Sequence, residues 1–118
     1  MKPTILRAPT LNGIPWLIHG FSTRNGGVSR PYGGGTLNLG LTKEDSRRAV
    51  GINRAAFLKR LGAVQRGQPF LLVTLRQIHS DIIHCVGDVP SEPLVGDGIV
   101  TEHPGIVLAI QTADCLPV

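Results

Sequence analysis

Gly105-Ile106-Val107-Leu108-Ala109-Ile110-Gln111 runs directly into Thr112-Ala113-Asp114-Cys115-Leu116-Pro117-Val118, and the fold is read outward from this stretch. Ile106 to Gln111 has too few polar residues for an exposed edge and predicts a buried strand. That strand delivers an Asp-Cys pair at its end. A thiol presented there suits a metal ligand or a nucleophile. Val118 follows only three residues later. Residues 1–118 are therefore read as a single incomplete domain, the N-terminal portion of a larger protein whose chemistry starts near Cys115 and continues further on.

Working back from that strand, His103-Pro104-Gly105 predicts a turn and Asp97 to Thr101 a short strand. Gly87 to Gly96 carries repeated Pro and Gly turn signals. Asp81 to Val86 and Phe70 to Gln77 read as strands, separated by a tight break at His79-Ser80, and Gln65 to Pro69 as a polar loop. The clearest helix runs from about Lys43 to Leu61, with Thr42 or Asp45 as its cap and Gly62 as its stop. Val50, Phe57, Leu58 and Leu61 share its apolar face. Ile14 to Ser22 reads as a strand and Thr36 to Gly40 as a short one. Between them Thr23 to Pro31 and Tyr32 to Gly35 form a long glycine-rich loop. Strands dominate around one helix, which gives an α+β class and not a regular βαβ alternation.

Composition narrows the classes of function. A chain of 118 residues can bury a true core without staples. Aromatic residues are few, so Ile, Leu and Val must build it. The net charge of +4 comes from scattered arginines, without the basic runs and interleaved aromatics of nucleic-acid binders. Two cysteines, Cys85 and Cys115, make neither a disulfide framework nor a CxxC knuckle. No secretory h-region and no membrane-length apolar stretch is visible. The expectation is a cytoplasmic protein that binds neither nucleic acid nor membrane.

Two residues carry most of the chemistry. His79 sits where one predicted strand ends, and Cys115 at the corresponding end of another. Residues so placed can converge from distant parts of the sequence. Imidazole and thiolate are good zinc ligands, and a catalytic zinc takes three protein ligands and keeps one position open. The same pair could instead work as base and nucleophile. Taken alone, a cysteine beside an apolar strand is more often a small core residue. Asp97 and Asp114 are the nearby acids, able to orient a histidine, accept a proton or sit in a turn; for Asp97, between two glycines, the turn is the plainer reading. The Arg24 to Ser29 loop could hold an anion through Arg24 and glycine amides, although it is neither a P-loop nor a Rossmann fingerprint. His84 and Cys85 are adjacent in a strand, point to opposite faces and are read as structural. His19 reads as a packing or hydrogen-bonding residue and His103 as an exposed turn residue.

Six segments in order give a resemblance. They are His19-Gly20-Phe21-Ser22-Thr23-Arg24-Asn25-Gly26-Gly27-Val28-Ser29, Leu37-Asn38-Leu39-Gly40, Asn53-Arg54, Gln77-Ile78-His79-Ser80, Asp97-Gly98-Ile99-Val100-Thr101 and Thr112 to Val118. Together, covering nearly the whole chain, they resemble the multicopper polyphenol oxidoreductase (laccase-domain) family. Its members are also called peptidoglycan editing factors and resemble purine nucleoside phosphorylases with adenosine deaminase activity. The resemblance implies part of a four-layer α/β/β/α sandwich with mixed sheets, related to the cysteine–histidine toxin deamidases. It implies a zinc ion, with copper the other candidate, held by His79 and Cys115. The third ligand is a histidine in a His-Ala-Gly-Trp-Arg-Gly segment beyond Val118. It implies that Arg24 and Asn38 face the site as substrate-binding residues, Arg24 as a phosphate or substrate contact, with Asp97 nearby. Where the family has Ala-Asp-Ala, this chain has Gly-Asp-Gly, which is expected to loosen the strand start while keeping the carboxylate.

Three activities follow from the resemblance. The first is a zinc-dependent purine nucleoside phosphorylase with adenosine deaminase activity, acting on adenosine, inosine or methylthioadenosine with phosphate or water. Arg24, Asp97 and Cys115 would be its catalytic residues. The second is a copper oxidase of phenols. A blue-copper centre wants two His, a Cys and an axial Met, and the single methionine is Met1. The third is a cysteine hydrolase that edits peptidoglycan precursors, with Cys115 as nucleophile. Half a sandwich leaves an apolar face open, so residues 1–118 alone are expected to be inactive and to need a missing C-terminal portion or a partner chain.

Overall fold

The computed structural model describes residues 1–113, so Asp114 and Cys115 lie outside the described residues. The chain divides into two compact units, Met1–Pro69 and a second from Phe70 onward. Their class is α+β: small sheets and, among the described residues, one α-helix.

In the first unit β1 (Ile5–Leu6) pairs antiparallel with β2 (Phe21–Ser22). The strand expected over Ile14 to Ser22 shrinks to those last two residues. Pro15 cannot donate to a ladder, Leu17 N donates to the Ile14 carbonyl in a turn, and Trp16 stands exposed. The expected Thr23 to Pro31 loop is instead built on β3 (Asn25–Ser29). The amides of Gly26 and Gly27 both donate to the Gly35 carbonyl, and Thr36 bridges Asn25 and Ser29. Gly27 serves close approach here, since a Cβ would lie 2.2 Å from the Thr36 carbonyl oxygen and 2.6 Å from Asn53 Oδ1. Thr36 alone of the expected Thr36 to Gly40 strand pairs with another strand. Asn38 Oδ1 accepts the Gly40 amide and turns the chain there.

Helix α1 (Arg47–Leu61) begins later than the sequence suggests. Ser46, and neither Thr42 nor Asp45, caps it by accepting the Ala49 amide at 3.0 Å. Thr42 faces the Tyr32 hydroxyl, while the Asp45 carboxylate turns toward Ser29 and Asn38. Gly62 ends the helix at φ 89°, as expected of a left-handed stop. Val50, Leu58 and Leu61 are buried with Leu37 and Ala63, and Phe57 is half-buried. The polar loop expected over Gln65 to Pro69 is a hairpin, β4 (Val64–Gln65) and β5 (Gln68–Pro69). Its two-residue turn places Arg66 at φ 52° and Gly67 at φ 78°, the twist that matches flanking strands.

The second unit is built on β6 (Leu71–Arg76), whose alternate residues Val73 and Leu75 are buried. Next come β7 (Ile83–Cys85), β8 (Leu94–Val95), β9 (Gly98–Val100) and β10 (Ile106–Ala109). β6 lies between β10 and β8, parallel to both, and β7 pairs parallel with β9. The expected burial of the decisive strand is corrected: β10 is half-exposed along its length and forms one side of the described three-stranded sheet. Its apolar run fits a parallel ladder with β6, in which Val107 faces Leu72 and Ala109 faces Thr74. No described helix is long and apolar enough to cross a membrane.

Candidate functional site

β6 ends at Arg76, and Gln77-Ile78-His79-Ser80 continues from it as an irregular loop. Asp97, just ahead of β9, holds this loop. Its Oδ1 accepts the Ile78 amide at 3.0 Å, the Ser80 amide at 2.8 Å and the Ser80 hydroxyl at 2.8 Å, while Oδ2 accepts the His79 amide at 3.0 Å. A carboxylate that receives several N–H donors is stabilised in its charged form. The Ser80 amide foremost, then those of Ile78 and His79 with the Ser80 hydroxyl, lower the Asp97 pKa to about 2, against partial desolvation. Asp97 therefore stands as a fixed anion that shapes the loop.

That grip explains the backbone of His79, which sits at φ 60° in the left-handed region that a histidine seldom enters. Such conformations persist where surrounding contacts over-determine them. The imidazole is exposed at the end of β6. Neighbouring groups approach both glycines around Asp97 closely. The Gly96 amide donates to the Arg76 carbonyl at 3.0 Å. A Cβ on Gly96 would come within 3.1 Å of the His84 ring, and one on Gly98 within 2.7 Å of Ile83.

The other expected residues fall as follows. His84 Nε2 lies 2.7 Å from the Val95 carbonyl, a structural contact, while Cys85 beside it is exposed and free. His19 Nε2 meets the main chain of Ala8 at 3.2 Å, as expected of a hydrogen-bonding residue. His103 is exposed, with its ring over Gly87. Arg24, in the first unit, is exposed and donates through Nη2 to the Tyr32 carbonyl at 2.6 Å. Asn38 donates through Nδ2 to Asp45 Oδ2 at 2.9 Å and accepts from Gly40.

Two residues of the quoted segments were not singled out by sequence reasoning and prove to organise these regions. Asn53 is fully buried; its Oδ1 accepts the Val28 amide and its Nδ2 donates to Ser29 Oγ and to the Asn38 carbonyl. It ties β3, the Asn38 turn and α1 together. The available signal was its place on the Val50–Phe57 stripe, a polar residue on an apolar face. Gln77 is the second. Its side chain donates to the Gln111 carbonyl at 2.8 Å and accepts the Gln111 amide at 2.7 Å.

A zinc site needs donor atoms of the right kind on a rigid support. His79 meets both conditions, being exposed on a loop fixed by four hydrogen bonds to Asp97. With a cysteine thiolate it would make a nitrogen–sulfur donor pair of the kind that suits zinc. Among the described residues no group of three or more His, Cys, Asp or Glu side chains is placed to hold a metal ion.

Comparison with known proteins supplies the family. The chain is 41% identical over 115 residues to the purine nucleoside phosphorylase of Deinococcus radiodurans, covering 96% of this chain and 40% of that protein. It is 40% identical over 114 residues to purine nucleoside phosphorylase SCO2081 of Streptomyces coelicolor, covering 92% of this chain and 43% of that one. A purine nucleoside phosphorylase of Haemophilus influenzae is 36% identical over 107 residues, covering 89% and 41%. The chain thus spans well under half the length of these relatives. Residues 18–118 match the family described as multi-copper polyphenol oxidoreductase laccase, and the chain belongs to that family.

Proposed function

We propose that the protein is a zinc-dependent purine nucleoside phosphorylase with adenosine deaminase activity. The similarity to proteins named purine nucleoside phosphorylase, over 96% of this chain in one case, carries the reading. In phosphorolysis a phosphate oxygen bonds to C1′ of the ribose as the C1′–N9 bond breaks. The electron pair leaves with the purine, which takes up a proton, and ribose 1-phosphate remains. In deamination water adds at C6 of adenosine and ammonia departs. Adenosine, inosine and methylthioadenosine are the proposed substrates.

His79 and Cys115 would hold the metal, with a third ligand from outside residues 1–118. When bound, zinc supplies Lewis-acid polarisation at neutral pH. The exposed Arg24 would meet phosphate. A guanidinium carries five donors, so its bond to Tyr32 orients the group without exhausting it. Asn38 would act through the turn it closes, and Asp97 by fixing the main chain of His79. We place residues 1–118 as the N-terminal portion of a larger, cytoplasmic domain with the four-layer sandwich of the toxin deamidases. The complete gene product, supplied with zinc, should release free purine from adenosine or inosine only when phosphate is present. Failure of zinc-loaded protein to form free base or inosine would overturn the assignment.

The family's description as a multi-copper polyphenol oxidoreductase favours a second reading, copper-dependent oxidation of phenols. Phenol oxidation by the copper-loaded protein, absent from the zinc-loaded one, would support it. A third, hydrolysis through a Cys115 nucleophile, separates from both in an alkylation experiment on a Cys85→Ser background. Fast iodoacetamide labelling of Cys115 in metal-loaded protein marks a nucleophile, and protection that EDTA removes marks a ligand.

A further inference from the structure

The parallel ladder of β10 and β6 ends at the Ala109–Thr74 pair. Past it β10 gives way to irregular chain while β6 runs on to Arg76 beside β8, yet the two segments stay tied. A primary amide carries both a carbonyl acceptor and N–H donors, the same groups as a peptide unit. Gln77 uses both: its Oε1 accepts the Gln111 amide at 2.7 Å and its Nε2 donates to the Gln111 carbonyl at 2.8 Å. The side chain thus replaces main-chain pairing where the ladder has stopped. Gln111 lies four residues before Cys115, and Gln77 two before His79. Asp97 also secures this loop, through the amides of Ile78, His79 and Ser80.

We infer that Gln77 is a positioning residue of the metal site, a clamp that holds the segment leading to Cys115 beside the segment carrying His79. The inference rests on the proposed role of those two residues as ligands. Groups that orient metal ligands from outside the coordination shell typically contribute 10- to 100-fold to metal affinity. Two strand ends that diverge freely would have to be brought together each time metal binds.

The test uses the complete gene product with Gln77→Met, which keeps the shape and removes both hydrogen bonds. Gln77→Glu serves as a second variant, retaining the acceptor and setting an anion against the Gln111 carbonyl. Zinc affinity is measured by chelator competition, the thiolate-to-cobalt absorption of the cobalt-substituted protein is recorded, and metal-free melting is followed. The expected result is a zinc dissociation constant raised about 10- to 100-fold in both variants, with a weakened or shifted cobalt band and little change in metal-free melting. Unchanged affinity and band in a wild type that binds zinc would overturn the inference while leaving the metal reading intact. A loss of affinity matched by an equal loss of metal-free stability in both variants would reduce Gln77 to a structural residue. A wild type that binds no zinc would remove the metal reading, and the clamp's role with it.

Discussion

Replacing Asn53 by alanine gives the most direct test of how the first unit holds its glycine-rich strand. The side chain is fully buried and makes three hydrogen bonds: from the Val28 amide at 2.8 Å, to Ser29 Oγ at 2.8 Å and to the Asn38 carbonyl at 2.9 Å. Alanine withdraws this partner from one main-chain donor and one main-chain acceptor. Each group so deprived costs about 1–3 kcal/mol. Ser29 keeps its bond to Asp45, so its share is smaller. The expected destabilisation is about 3 kcal/mol, at the large end for a single substitution. Asn53→Asp should be at least as harmful, because it turns a donor to two oxygens into a third oxygen. Urea denaturation reads both, with exposed Arg47→Ala as a control expected within about 0.5 kcal/mol. A change below about 1 kcal/mol in Asn53→Ala, with an unaltered m-value, would refute the view that this side chain is the joint between α1, β3 and the Asn38 turn.

Two glycines should respond in opposite directions. Gly62 stands at φ 89° with nothing near its Cβ position, so Gly62→Ala should destabilise by about 1–2 kcal/mol through backbone strain alone. Gly51 lies exposed within α1, also in open space, and Gly51→Ala should stabilise by about 0.5–1 kcal/mol; paired chemical denaturation decides both. Asp45 gives a pH dependence. The Ser29 hydroxyl, then the Asn38 amide, hold its carboxyl below the ordinary 3.8 against an opposing effect of burial. Its stabilising contribution is therefore complete above the unfolded pKa of about 4 and is lost as pH falls through the lower folded value. Stability measured from pH 6 downward should fall in that window, and Asp45→Asn should flatten the fall; an identical acid limb in the variant would contradict the assignment.

The parts legible in the sequence are those with local causes. The helix stop at Gly62, the strand that carries Val73 and Leu75, and the break at His79-Ser80 follow from glycine conformation, alternation and chain interruption. The errors arise where tertiary contacts decide. Gly26 and Gly27 look like a loop, yet they belong to a strand, where the Pro3 main chain closes in on Gly26 and the Thr36 main chain and Asn53 on Gly27. Ser46 caps α1 because Asp45 is drawn away to Ser29 and Asn38. The six quoted segments contained the organising residues Asn53 and Gln77, but spacing alone does not reveal that one bridges three elements and the other imitates a peptide group. For Asp97 the flanking glycines correctly signal a turn residue. That it grips three consecutive amides around His79 depends on the parallel pairing of β7 with β9.

X-ray absorption at the zinc edge of the complete, zinc-loaded gene product, compared with its Cys115→Ser variant, bears most directly on the proposal that two strand ends deliver His79 and Cys115 to one metal. The expected result is a mixed shell with a sulfur near ~2.3 Å and nitrogens near ~2.0–2.1 Å, the sulfur vanishing in the variant. A shell of nitrogen and oxygen alone in the wild type, or a sulfur signal that survives Cys115→Ser, would contradict it.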